Sequence, residues 1–403
     1  VDLAETFDDL VRRERRIVLA SLARRFGLAI AEEAVDEALG AAATVFRERP
    51  PDDPRAWLQR AATHKAIDAT RHAAIRARHR GEVEALAQQA RDDEDHGPFV
   101  EDQLRLIFTC CHPALADDAK VALALRTIAG LATAEVARAF LTSEATMAQR
   151  LVRAKQKIRD ARIPYEIPER AELPARVSGV LAVIYLIFNE GYVTTSGPLS
   201  RGDLADEAIR LAELVIELLP ASAEARGLLA LILLIDSRRS ARVDDAGGLV
   251  LLADQDRARW DRRKIDRGKG LLVEALAIGP PTTYAIEAAI QAVHADAVRH
   301  EETDWRQIVT LYGLLRARVD SPIVALNEAV AIAMCEGPAA GLRRLAAIGK
   351  DLEGHHLYWS ARADLLARLG RGKEARTSYR RALERVSNDA ERRFLEARIA
   401  ALG

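Results

Sequence analysis

Trp57, Arg60 and His64 stand three and four positions apart, with Arg55 before them and Lys65 and Arg71 after. Helical spacing would put the first three on one face. A ring, cations and a histidine together suit a single nucleic-acid strand, because bases stack on rings and cations track phosphates. The same residues also suit a helix with Trp57 in its core and solvated arginines outside. A second set is Ser143, Glu144, Thr146, Gln149, Arg150, Arg153 and Lys155. Short polar and amide groups with an arginine at a helix start can read base edges in a major groove, and later cations can reach phosphates. A third set, Glu32, Glu33, Asp36 and Glu37, is acidic. It would either complement a helix dipole or dock a basic partner.

Elements are needed to hold these residues. Pro50-Pro51-Asp52-Asp53-Pro54 breaks the helical periodicity of residues 2–80. Asp53 and Pro54 open the next helix, an acid near the cap and a proline in the first turn. Residues 31–46 form an amphipathic helix ahead of it. Residues 116–160 match a helix-turn-helix. Residues 117–129 read as its first helix, ended by Gly130. Residues 133–140 read as a short second helix capped at Thr133. Leu141-Thr142-Ser143 is the turn, and Ser143 caps a third helix reaching about Ala161. Met147, Leu151, Ala154 and Ile158 make that helix's inward stripe, leaving the second set outward.

Composition sets the class. Apolar residues make up 49% of 403, enough for real cores, while aromatics are only 5%. Ala, Leu and Arg favour helix and strand formers are sparse, so an all-α protein is expected. The net charge of −1 averages over opposite segments. Residues 55–80 hold seven bases and one acid; residues 82–102 hold eight acids and one base; residues 141–162 hold six bases and two acids. Basic patches of this kind are a footprint of phosphate binding, or else solvated helix faces. Three cysteines cannot build a disulfide framework, which suits a reducing compartment. Adjacent Cys110 and Cys111 with His112 lack structural zinc spacing, so no metal is expected. The longest uninterrupted apolar runs, 180–188 and 228–235, fall short of a bilayer, and no secretory signal precedes the first helix, so a cytoplasmic protein with no membrane partner is expected.

The residues carry a resemblance. The stretch from Ala31 to Phe46, followed by Asp53-Pro-Arg-Ala-Trp-Leu-Gln-Arg-Ala-Ala-Thr-His-Lys-Ala-Ile-Asp-Ala-Thr-Arg71, resembles region 2 of bacterial extracytoplasmic-function (ECF) RNA polymerase sigma factors. The stretch from Leu125 to Phe140, followed by Ser143-Glu-Ala-Thr-Met-Ala-Gln-Arg-Leu-Val-Arg-Ala-Lys155, is similar to their region 4. The resemblance covers roughly the first 163 residues and departs from the family pattern at Ala145, Ala148 and Val152. It implies region 2 at 1–80, an acidic linker at 81–102 and a region 4 helix-turn-helix at 103–163. It further implies that Arg55, Trp57, Arg60, His64, Lys65 and Arg71 melt and read a −10 element. Ser143, Glu144, Thr146, Gln149, Arg150, Arg153 and Lys155 would read a −35 element. Glu32, Glu33, Asp36 and Glu37 would dock on core RNA polymerase, and the linker would thread towards its RNA path.

Residues 164–403 exceed a minimal sigma factor. The segment 176–192 looks like the start of the C-terminal extension found in a subgroup of that family. Trp359, Ala375, Tyr379 and Ala382 fall at tetratricopeptide (TPR) offsets, and Ala208, Ala212, Val215 and Pro220 form a degenerate copy. A TPR-like helical array is expected, facing either the sigma regions of the same chain or a protein partner. Asp254, Asp256, Arg257, Trp260 and Asp261 form a charged aromatic cluster that either pins domains together or starts a solvated helix. His294 and His300 stand near Asp296 and Glu301, as a catalytic set or as helix-surface pairs. No P-loop, nucleophile elbow or HExxH is present. The expected function is therefore non-enzymatic and without cofactor: promoter-specific initiation with core polymerase and promoter DNA as partners. The alternative is a stand-alone helix-turn-helix regulator with a TPR-like sensor.

Overall fold

The computed structural model describes residues 7–48, 51–77, 99–128, 130–140, 142–169, 171–192, 202–244, 248–386 and 389–402. Among them there is no strand, only an isolated bridge between Val243 and Leu249, and the chain is all-α as its composition dictates. Most of the acidic linker, residues 81–98, lies outside the described residues. Two compact units divide at Ile187/Phe188.

The first unit begins with α1 (Phe7–Phe26), α2 (Leu28–Glu48) and α3 (Pro54–Ala77). Leu19 and Leu22 of α1 and Leu58 of α3 are buried with Ala31, Ala34, Ala38, Ala62 and Ala66. Those alanines let the three helices approach closely. Next comes α4 (Phe99–Cys110), which packs on α1. The helix-turn-helix is α5 (Asp117–Leu123), α6 (Thr133–Ala139) and α7 (Glu144–Asp160). Its first helix does not run evenly to residue 129. It widens into a π turn at Ala124–Ile128, and Gly130, at φ 71°, lets the Leu131 N–H reach the Leu125 carbonyl at 3.0 Å. The second helix is not capped by the Thr133 side chain. Glu135 reaches back to the Ala132 N–H at 2.7 Å, half of a capping box. The third helix follows the pattern: Ser143 Oγ accepts the Thr146 N–H at 3.2 Å, and Met147, Leu151, Ala154 and Ile158 are buried.

Helix α8 (Leu173–Tyr192) spans the division between the units. By length and composition alone it could cross a bilayer, which the short uninterrupted runs did not suggest. Its Val177, Val180, Leu181, Ile184 and Phe188 are buried at three- and four-residue spacing, the pattern of a core helix.

The second unit holds α9 (Gly202–Leu218), α10 (Ala223–Asp236), α11 (Arg262–Ile278), α12 (Thr283–Asp296), α13 (Trp305–Arg316), α14 (Pro322–Glu336), α15 (Pro338–Leu352), α16 (His356–Arg368), α17 (Gly372–Leu383) and α18 (Asp389–Ala401). Side chains of Ser222, Asp261, Thr282 and Asp304 cap α10, α11, α12 and α13. Trp359, Ala375, Tyr379 and Ala382 are all buried, as are Ala208, Ala212 and Val215. Helix α15 lies so close to α14 that a Cβ on Gly341 would strike Ala333 and sit 2.8 Å from the Ala329 carbonyl oxygen. Gly341→Ala should therefore cost about 1–3 kcal/mol through overpacking. Gly313→Ala, in helix α13 with open space around it, should be neutral or stabilising by about 0.5–1 kcal/mol. Urea unfolding midpoints of the two variants check the contrast.

Candidate nucleic-acid interface

Helix α7 presents Glu144, Thr146, Gln149 and Arg153 to solvent. The Ser143 hydroxyl is engaged in the cap and lies 2.8 Å from Thr146 Oγ1. Arg150 is half-buried, with Nη1 3.5 Å from Asp118 Oδ2 and its guanidinium 5.4 Å from the Phe140 ring centre. Asp118 is well exposed, so water screens that pair and Arg150 can leave it at little cost. The other cation of the set behaves differently. Lys155 points back across the unit and pairs with Glu32 on α2.

Glu32 is buried, and three cations surround it. Besides Lys155, Arg15 Nη2 of α1 and Arg126 Nε of the π turn each lie 3.9 Å from its Oε1. Asp36, one turn further on, holds Arg15 at 3.0 Å and Arg126 at 2.7 Å. Burial, and then the charge of Arg126, lower the Arg15 pKa, and Asp36 and Glu32 oppose them. Helix α2 begins at Leu28, so these acids lie beyond its first turn and do not serve its dipole. Glu33 is exposed, and Glu37 pairs at 3.0 Å with Lys65 in an arrangement open to water on both sides. Arg15 and Arg126 drew no attention in the sequence, since nothing in their local pattern names a partner so far along the chain.

On α3 the core side is Leu58, Ala62 and Ala66, leaving Arg60, His64, Lys65 and Arg71 exposed. Arg71 lies 3.7 Å from Asp68. Trp57 is half-buried and meets Phe46 edge-on at 5.2 Å, so one side of the indole is packed and the rest faces out. Trp57, Arg60 and His64 therefore share an accessible face. Arg55 is drawn inward: Nε and Nη2 lie 2.5 and 3.2 Å from the buried Glu14 carboxylate, and that bond raises its pKa.

Among the described residues, no group of three or more His, Cys, Asp or Glu could hold a metal. Cys110 and Cys111 are buried, and burial pushes the Cys110 thiol up to about 12 and raises Cys111 too. The His112 Nδ1 accepts the Ala114 N–H at 3.1 Å. A cavity of about 250 Å³ lies between α1, α2 and α7, walled by Phe26, Leu28, Ile30, Ile158 and Ile163. No acid, histidine or cysteine lines it.

Residues 105–158 match sigma-70, region 4, and residues 176–276 match a family of unknown function (DUF6596). An uncharacterized protein of Rhizobium meliloti (strain 1021) is 41% identical over 389 residues, covering 94% of this chain and 92% of its own length. The chain belongs to the family of that protein. Its helix-turn-helix is a sigma-70 region 4 domain, a DNA-binding unit of transcription factors that is not enzymatic. Such a domain implies promoter DNA and the polymerase core as its partners. The capped, basic α7 is thus the third helix of a region 4 domain, and Glu32 ties it to α2 through Lys155.

Two outcomes follow from this geometry. Glu32→Ala should destabilise the first unit by about 3 kcal/mol, because it strips the buried guanidinium of Arg15 and the ammonium of Lys155 of a counter-charge; urea unfolding at low and high salt measures it. In the native chain at pH 8, iodoacetamide should alkylate the half-buried Cys335 well before Cys110 or Cys111, which should react only in denaturant; peptide mass mapping reads the order.

Proposed function

We propose that the chain is an ECF-type sigma factor: it binds core RNA polymerase and directs it to specific promoters. The observation that carries this reading is the region 4 recognition helix with Glu144, Thr146, Gln149 and Arg153 exposed at its outer face. A three-helix bundle that resembles region 2 supports it by presenting Trp57, Arg60, His64 and Lys65 outward. Here α7 reads the −35 element, with Ser143 fixing the helix start and Arg150 and Lys155 reaching bases or phosphates. The α3 face, with Arg55 and Arg71 at its ends, opens the −10 element. Glu32, Glu33, Asp36 and Glu37 meet the polymerase, and the linker 81–102 follows its RNA path. The work is done in the cytoplasm without a membrane partner. The TPR-like array of residues 164–403 regulates or supports the sigma regions, by contact with them or through a partner protein.

Glu32 and Asp36 hold Lys155, Arg15 and Arg126, so an acid assigned to polymerase and a cation assigned to DNA neutralise each other in this arrangement. Engagement of both ligands requires α7 to part from α2. The same contact favours a second reading, a stand-alone helix-turn-helix regulator. Glu32 and Asp36 have internal partners, so their acidity does not require a polymerase.

Reconstitution of the full chain with core polymerase on a library of promoter fragments separates the two. Initiation that depends on both proteins supports the sigma reading; tight duplex binding with no effect on start sites supports the second. Within the first, Arg150→Ala should weaken −35 discrimination by about tenfold, the scale of one base contact. Lys65→Ala should slow promoter opening while leaving duplex binding nearly intact, as followed by permanganate reactivity. Unchanged initiation in both variants would remove these residues from the interface.

A further inference from the structure

We propose that the second unit contains a buried receptor for a small oxyanion, the phosphate or carboxylate group of a small molecule, built by Arg238, Arg257, Trp260, His294 and His300. This does not rest on the sigma reading.

Arg238 and Arg257 are 7% and 6% exposed, and Trp260, between them in the packing, is 3% exposed. Their guanidinium carbons lie 5.7 and 4.8 Å from the Trp260 ring centre. The hydrogen-bond partners of both are neutral groups. Arg257 Nη1 donates to the carbonyls of His294 and Ala297 at 2.5 and 2.7 Å, and its Nη2 lies 3.4 Å from Thr303 Oγ1. Arg238 Nη2 donates to Gln291 Oε1 at 2.7 Å. No ion pair joins either arginine to a carboxylate among the described residues, and Glu301 and Glu302, whose charges act on Arg257, are exposed. The neighbouring turn shows the ordinary solution. Arg239 and Lys264 share the buried Asp236 at 2.7 and 2.6 Å. Two buried like charges without a counter-ion are costly, and the cost falls when an anion sits with them.

The hydrogen-bonding groups agree with the charge. Arg238 Nε, Trp260 Nε1, His294 Nδ1 and His300 Nδ1 are buried atoms without a partner. Both histidines pack edge-on against Trp305, with ring centres at 5.3 and 5.7 Å, and the bond from Arg257 Nη1 to the His294 carbonyl joins them to the arginine pair on Trp260. Guanidinium and indole N–H groups only donate, which selects an acceptor-rich ligand. Burial, then Arg238 and Arg257, push the His294 pKa down to about 3, so the ring stays neutral at pH 7 and its Nδ1 can turn towards a ligand without adding charge. The match to the family of unknown function ends at residue 276, so it holds both arginines and Trp260 but neither histidine.

The test uses the full chain and inorganic ions. Phosphate, sulfate and acetate are titrated against sodium chloride of equal ionic strength, with thermal unfolding and tryptophan emission as readouts. Phosphate or acetate should raise the unfolding temperature saturably, and equilibrium dialysis should find one equivalent per chain. Which of the two binds tells a phosphoryl from a carboxylate ligand. Arg238→Lys keeps the charge but loses the planar fork, and should weaken the midpoint about tenfold. Arg263→Gln, at an exposed position on α11, should leave the midpoint alone. If Arg238→Lys does not fold, Arg257→Lys makes the same exchange at the other guanidinium and should weaken binding in the same sense. Absence of saturable binding in the parent chain overturns the proposal. So does an unchanged midpoint in the folded variant, the mark of an adventitious ion only.

Discussion

Much of the first unit turns on one buried carboxylate. Glu32 sits under α7 with Lys155, Arg15 and Arg126 around it, and Asp36 closes the same cluster from its exposed side. A lone buried carboxylate would be expelled or protonated, and a lone buried Arg15 would be equally unfavourable. Together they are tolerated because each charge has an opposite within reach. Such a cluster adds less stability than an apolar core of the same size, but it is strict about geometry. Tyr165 adds a second tie just past α7, its hydroxyl 2.8 Å from the Ala20 carbonyl oxygen and 3.0 Å from that of Asp102.

That arrangement changes how the exposed residues are read. The α7 outer face and the α3 outer face are made of residues that have little to do inside the protein: Thr146, Gln149 and Arg153 on one, Arg60 and His64 on the other. Lys155, Arg55, Glu32 and Asp36 have internal partners strong enough to hold them. The residues named from the sequence thus fall into two populations: groups exposed at the surface, and groups held by internal charge partners. Electrostatic clusters suit such a division, because a competing polyanion or an acid-binding surface exchanges one set of charge partners for another.

Local pattern made the helix-turn-helix legible. Ser143 at the cap, the Met147–Leu151–Ala154–Ile158 stripe and the outward basic face all follow from 3.6-residue periodicity and cap chemistry, which act within one turn of helix. The errors were also local in origin. The end of the first helix widens into a π turn because Thr127 Oγ1 bonds the Leu123 carbonyl and Gly130 lets the chain turn, details that composition does not display. The second helix is capped by Glu135, which accepts the Ala132 N–H, rather than by Thr133, whose hydroxyl would have had to accept an N–H two or three residues further on. In the second unit, Trp359, Ala375, Tyr379 and Ala382 are buried, as apolar residues on the inner faces of packed helices are.

By itself, then, the sequence determined the all-α class, the helix-turn-helix with its capped basic third helix, and the aromatic-cationic face of α3. These depend on backbone propensity and on residues three or four apart. Only the tertiary structure decided that Glu32 faces Lys155, that Arg55 faces Glu14, and that Arg238 and Arg257 share one indole without an acid. Glu32 and Lys155 meet across far more chain than any helical period spans. A charge's partner is set by which faces pack, and packing is settled by the apolar stripes of all the helices together rather than by the neighbours of the charge. The near-zero net charge carries no trace of these pairings, because a sum over the chain counts each charge and records none of the distances between them.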